Sequence, residues 1–183
     1  MTLIKSISGI RGTIGGKPGD GLTPLDAVKF ASAYASFIKK RNGDKQLKVV
    51  VGRDARISGE MVSGLVINTL VGYGIDVIDL GLSTTPTVEV AVPEENADGG
   101  IILTASHNPK QWNALKLLNE KGEFISGEEG AELLATAEAE DFDFADVDNL
   151  GSVTKINDYM DRHVRMVLDL PLVDVKAITA RDF

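Results

Sequence analysis

The sequence predicts an α/β fold, a mixed and largely parallel sheet sandwiched between helices, followed by the beginning of a second α/β domain. Three observations carry this. Short apolar runs recur at Leu47–Val51, Ile75–Leu80 and Gly100–Leu103, each of strand length. Segments with helical spacing of apolar residues separate them, and strands alternating with helices imply crossovers between parallel neighbours covered on both faces. An acidic stretch without helical periodicity then interrupts the pattern at residues 140–152. It places a first domain at 1–150 and a linker with the start of a second domain at 151–183.

The opening stretch SISGIRGTIGGKPGDG (residues 6–21) holds many glycines, so most of it is expected to be loop with unusual backbone angles. Thr23 then suits a helix N-cap and Pro24 the first helical position. Leu25, Val28, Ala31, Ala35 and Ile38 form the apolar stripe of a long helix that ends near Asn42-Gly43. After the first strand comes the loop GRDAR, then a helix from about Ser58 with Met61, Val62, Leu65, Val66 and Leu70 as its apolar positions, closed by Gly74. Pro86 opens a short helix to about Asn96. Beyond the third strand, NALKLLNEKGEFIS (residues 113–126) reads as a hairpin turning at Asn119–Gly122. Ser126 and Glu129 have capping-box spacing, ahead of a helix through Leu133, Leu134 and Ala137. Past the linker, Ile156, Tyr159, Met160, His163, Val164 and Val167 share one side of an amphipathic helix.

Composition narrows the function. With 19 Lys and Arg against 27 Asp and Glu, the formal charge of −8 argues against a nucleic-acid binder, which needs a basic face. The absence of cysteine removes disulfides, thiolate metal sites and a cysteine nucleophile. No apolar run reaches membrane-spanning length and the first residues lack a signal core. A cytoplasmic protein without membrane partners is expected.

In an open α/β sheet the ligand-binding loops lie beyond the carboxyl ends of the strands, where GRDAR and TASHNP (residues 104–109) both fall. A serine next to a histidine invites comparison with the hydrolases, but neighbouring residues rarely face each other and no G-x-S-x-G elbow surrounds Ser106. A phosphorylated serine instead needs fixed cations around it, and Arg11, Arg53, Arg56 and Lys116 are candidates. His163 reads as a half-buried packing residue rather than a ligand. Trp112 anchors the loop after the serine or stacks on a substrate. The acidic residues Glu138 to Asp148 lack calcium-loop spacing and read as a solvated linker.

Taken together, SGIRGT (Ser8 to Thr13), GRDAR (Gly52 to Arg56), TASHNP and the following WNALK (Trp112 to Lys116) resemble the N-terminal domain of the α-D-phosphohexomutases. These are the phosphoglucomutases, phosphomannomutases and phosphoglucosamine mutases, and the resemblance covers essentially the whole chain. It implies that Ser106 is a phosphoserine exchanging its phosphoryl group with a hexose 1-phosphate or 6-phosphate through a bisphosphorylated sugar. It implies further that His107 and Lys116 assist proton transfer, that Arg11 is the family's loop arginine beside the phosphoserine, that Arg11, Arg53, Asn108 and Lys116 bind substrate or phosphate, and that Asn108 also shapes the loop. Magnesium would bind an oxygen on the serine phosphate together with aspartates of a D-G-D-x-D-R loop, which this sequence lacks. Hexose 1,6-bisphosphate would be the activator, and the remaining domains of a longer parent chain would be partners. The chain departs from the family's N-G-x-K at Ala114, which is expected to alter the local loop. Phosphoglucosamine mutase is one alternative reading, and a non-catalytic module that holds a phosphosugar or anion is another.

Overall fold

Alternation along the apolar runs decides how the layers form. In the strand β3 (Lys48–Arg53), Val49 and Val51 join one core cluster and Val50 the other; in β5 (Gly99–Leu103), Ile101 and Leu103 part from Ile102 in the same way. A strand that buries both faces must have helices on both. The computed structural model, which describes residues 1–6, 9–43 and 45–181, shows this sandwich. Helices α1 (Pro24–Asn42), α2 (Gly59–Gly72) and α4 (Gly127–Ala139) cover one face; α3 (Thr85–Glu94) and α5 (Tyr159–Leu168) cover the other, with α6 (Val175–Thr179) beyond.

The remaining strands are β1 (Ile4–Ser6), β2 (Gly9–Thr13), β4 (Asp76–Leu82), β6 (Trp112–Leu118) and β7 (Val153–Lys155). Among the described residues the seven strands lie in the order β1-β2-β6-β5-β3-β4-β7. Pairings from β5 through β3 and β4 to β7 are parallel. Those from β5 through β6 and β2 to β1 are antiparallel. The sheet is mixed, as predicted, with the parallel pairings confined to one half.

Four details differ from the sequence reading. Residues 9–13 form a strand, not a loop, because Gly9 and Gly12 let the backbone come close: a Cβ on Gly9 would stand 2.2 Å from the Leu115 carbonyl oxygen. On α1 the stripe is shifted, with Leu25 66% exposed and Ala27, Phe30, Ala31, Tyr34 and Ile38 buried. Small alanines bring this helix close to the sheet, where the Tyr34 hydroxyl donates to the carbonyls of Gly100 and Leu118. The acidic segment is tied down, since Ala145 N donates to Gly72 O and Phe144 packs on Tyr73 with centroids 4.6 Å apart. Finally, β7 pairs with β4, so the sheet continues past the expected division at residues 150/151. Tyr159 is buried beneath α3, and its neighbours Val164 and Val167 stay exposed.

The turn at Asn119–Gly122, the Thr23 N-cap and the Ser126–Glu129 capping box form as predicted.

Candidate active site

Because β3 and β5 are parallel neighbours, the loops that leave them meet at one edge. Asp54 N donates to Leu103 O at 3.1 Å, and the Thr104 hydroxyl donates to Asp54 Oδ2 at 2.6 Å. Thr104 Oγ1 in turn accepts from the backbone N–H of Ser106 at 3.0 Å. Ser106 has φ +53°, a left-handed conformation that costs a non-glycine residue about 1 kcal/mol and persists where its surroundings hold it. The turn closes with Asn108 N donating to Ala105 O.

Lys116 arrives from the antiparallel half. It stands opposite Ile102 in the β5–β6 register, and its Nζ donates to Ser106 Oγ at 3.1 Å. Ala114 lies two residues earlier on the same face and pairs with Arg11 of β2. The result is a cavity of about 210 Å³ whose lining includes Ser6, Arg11, Ser106, His107, Asn108, Lys116 and Phe124. Arg11 Nε is buried there without a hydrogen-bond partner. A buried donor left unsatisfied costs about 1–3 kcal/mol, so an anion in this cavity gains both an acceptor role and two cations.

Five predicted site residues are therefore brought together: Arg11, Ser106, His107, Asn108 and Lys116. Arg53 is not among them. Its guanidinium binds Glu60 at 3.2 Å and the Asp54 carbonyl, beside a separate hollow shared with Asp79 and Lys155. Arg56 does not act as a free cation either, because its N–H groups are engaged by Asp54 Oδ2 and by the carbonyls of Ser106, Asn108, Pro109 and Trp112. Ser8 falls outside the described residues.

Trp112 starts β6 and does not line the cavity; the aromatic that does is Phe124, whose ring centroid is 5.7 Å from Lys116 Nζ. Sequence reasoning missed Phe124, although the hairpin turn that bridges it to Leu118 pointed to it. Ala114 sits in a regular strand, and among the described residues the non-glycine positions with positive φ are Asn96, Ser106 and Glu140. The expected distortion before Lys116 is thus absent, since an extended position tolerates alanine as well as glycine. His163 Nδ1 pairs with Thr87 Oγ1 at 2.9 Å, which fits a packing role.

Among the described residues, no three His, Asp or Glu side chains are grouped to hold a metal ion, and no helix is long and apolar enough to cross a membrane.

Comparison with known proteins agrees with this fold. The family model for phosphoglucomutase/phosphomannomutase, alpha/beta/alpha domain I, matches residues 3–144. A phosphoglucomutase/phosphomannomutase from Thermococcus kodakarensis is 37% identical over 172 residues, covering 93% of this chain and 37% of the relative. A phosphoglucosamine mutase from Pediococcus pentosaceus is 38% identical over 136 residues, covering 73% of this chain and 30% of that protein. In the crystal structure of a phosphoglucomutase/phosphomannomutase family protein from Burkholderia thailandensis, the matching fold superposes with a TM-score of 0.76 at 27% identity, over 93% of this chain and 36% of the other. The chain spans about a third of the length of the curated relatives it matches. The serine loop, its lysine and the sheet that aligns them are thus those of a chain that belongs to the phosphoglucomutase/phosphomannomutase family.

Proposed function

We propose that this chain is the phosphoserine-bearing domain of a phosphohexomutase that interconverts hexose 1-phosphate and hexose 6-phosphate, of glucose or mannose, through a bisphosphorylated sugar. The observation that carries the reading is the 3.1 Å contact of Lys116 Nζ with the exposed Ser106 hydroxyl, in a cavity that also holds Arg11. The names of the relatives support the reaction class. Phosphoryl transfer needs positioning and neutralisation of charge on the equatorial oxygens more than covalent chemistry from the protein, and two fixed cations beside one oxygen nucleophile meet that need.

In the forward step a sugar hydroxyl oxygen bonds to phosphorus as the bond from phosphorus to Ser106 Oγ breaks. The hydroxyl proton passes to His107, and Lys116 gives one to the departing Oγ. The return step, after the bisphosphorylated sugar has turned around, runs these transfers backwards at the other phosphoryl group. Arg11 holds the transferring group and Asn108 keeps the loop closed. Magnesium chemistry would draw from this chain only on oxygens carried by Ser106, with the other ligands and the sugar-selecting loops supplied by further domains. The 183-residue chain alone is therefore expected to turn over little or no substrate.

Peptide mapping of a protein of the relatives' full length, after incubation with magnesium and hexose 1,6-bisphosphate, tests this. Phosphate on Ser106, with turnover lost in Ser106→Ala, is the expected result. Normal turnover by Ser106→Ala would end the phosphoserine reading, and an unmodified serine would leave an anion-binding module in its place.

A further inference from the structure

We infer that Arg56 is the positioning residue that fixes the backbone of Ser106, and that the serine reaches Lys116 only while that clamp is closed. The inference rests on the reading of Ser106 as phosphoryl carrier for its functional consequence, not for its geometry. A guanidinium carries five N–H donors in a rigid fork, and here all five have acceptors. Nε donates to Asp54 Oδ2 at 3.0 Å; one Nη donates to the carbonyls of Pro109 and Trp112 at 2.9 and 3.1 Å; the other donates to those of Ser106 and Asn108 at 2.7 and 2.9 Å.

The fork thereby holds the start, middle and end of the turn from Ser106 to Trp112. Its own orientation is set by Asp54, which also accepts from the Arg56 N–H at 3.0 Å and from the Thr104 hydroxyl. Since Thr104 Oγ1 receives the Ser106 N–H, both peptide groups of Ser106 are fixed from one carboxylate, the amide through Thr104 and the carbonyl through Arg56. This accounts for a non-glycine residue kept at φ +53° on an exposed turn. It also separates two jobs that the sequence assigns to arginines in general. Arg11 and Lys116 line the cavity, whereas Arg56 does not. Lysine cannot do the same work, because three hydrogens on one nitrogen do not span four carbonyls.

The experiment compares wild type with Arg56→Lys and with Thr104→Val, which removes the other arm at nearly constant volume. Backbone ¹⁵N relaxation of the 183-residue chain is read at Ser106, His107 and Asn108, with Ile101 and Ile102 of β5 as internal controls. The expected result is that the loop order parameters fall from about 0.85 to below about 0.6 in both variants, with the β5 values unchanged. Uniform loosening of β5 and loop together, or a loop as rigid in Arg56→Lys as in wild type, would overturn the inference.

In the longer enzyme, charged with hexose 1,6-bisphosphate, kcat is expected to fall about 100-fold with KM within about twofold, because misplacing a reacting group by about 1 Å costs that much. Equal loss in kcat and rise in KM would instead make Arg56 a substrate contact. If wild-type Ser106 never takes up phosphate, the carrier reading fails while the relaxation result still decides the clamp.

Discussion

The two halves of the sheet solve different problems. From β5 to β7 the strands are parallel, and the inner two, β5 and β3, are buried on both faces by helices and built from unbroken runs such as Val49-Val50-Val51. From β6 to β1 they are antiparallel, and β2 contributes a single large buried apolar side chain, Ile10, between glycines. The first half supplies the serine and its clamp; the second supplies the cations Arg11 and Lys116. Ser106 is thus held by a polar clamp built on a buried parallel core, whereas close approach of the cations comes from the absence of side chains.

The contrast can be broken most severely at Gly9. Gly9→Val puts a β-branched residue at φ +119° and against the Leu115 carbonyl, and we expect a loss of about 3 kcal/mol or more, read from urea unfolding. A loss under about 1 kcal/mol would mean that β2 does not depend on the glycine. Next comes Asp26, a buried carboxylate that accepts from the N–H groups of Gly19 and Thr23 and from the Thr23 hydroxyl. Asp26→Ala is expected to cost about 2 kcal/mol, through the lost capping box and the donors left behind. The glycine loop after β2 should become the first protease cleavage site. In the parallel half, Ile101→Val removes one buried methylene and should cost about 1 kcal/mol, with order parameters at Ser106 unchanged; a mobile serine loop in that variant would show that packing beneath the clamp matters more than the clamp.

The smallest effect is expected at the outer parallel edge and appears only in alkali. Burial, with the Glu95 carboxylate second, pushes the Tyr159 phenol up to about 12. The unfolded chain ionises it near 10, so its contribution to stability is complete below about pH 10 and is lost as pH rises from there through about 12. Thermal unfolding of wild type should fall more steeply across that window than that of Tyr159→Phe. Parallel slopes would place the docking of α5 on other contacts.

How much of this was legible follows the same division. Apolar periodicity located β3, β4 and β5, the helices between them and the edge at which GRDAR and TASHNP meet. It was blind to β2, since a strand that packs through glycine has no apolar period to read. The residues of TASHNP were visible as types, and Lys116 as a charge, but their 3.1 Å contact depends on the register of β6 against β5. Arg56 looked like one more cation for a phosphate. Its partners are the Asp54 carboxylate, two residues away in the sequence, and four backbone carbonyls, which no side-chain pattern records. The shift of the stripe on α1 has a similar origin, because alanine buries as little area as it exposes and so marks a face weakly.

The clamp on Ser106 also sets an order of events as the chain is made. Its four carbonyl acceptors lie 50 to 56 residues after Arg56, and the last of them, the Trp112 carbonyl, is synthesised after the serine itself. A ribosome that has released the chain only as far as Ser106 has therefore released a serine with an ordinary, unshaped backbone. Ser106 acquires its conformation only once β6 has begun to emerge, and its lysine four residues later still, so an incomplete chain presents the serine with neither its clamp nor its cation.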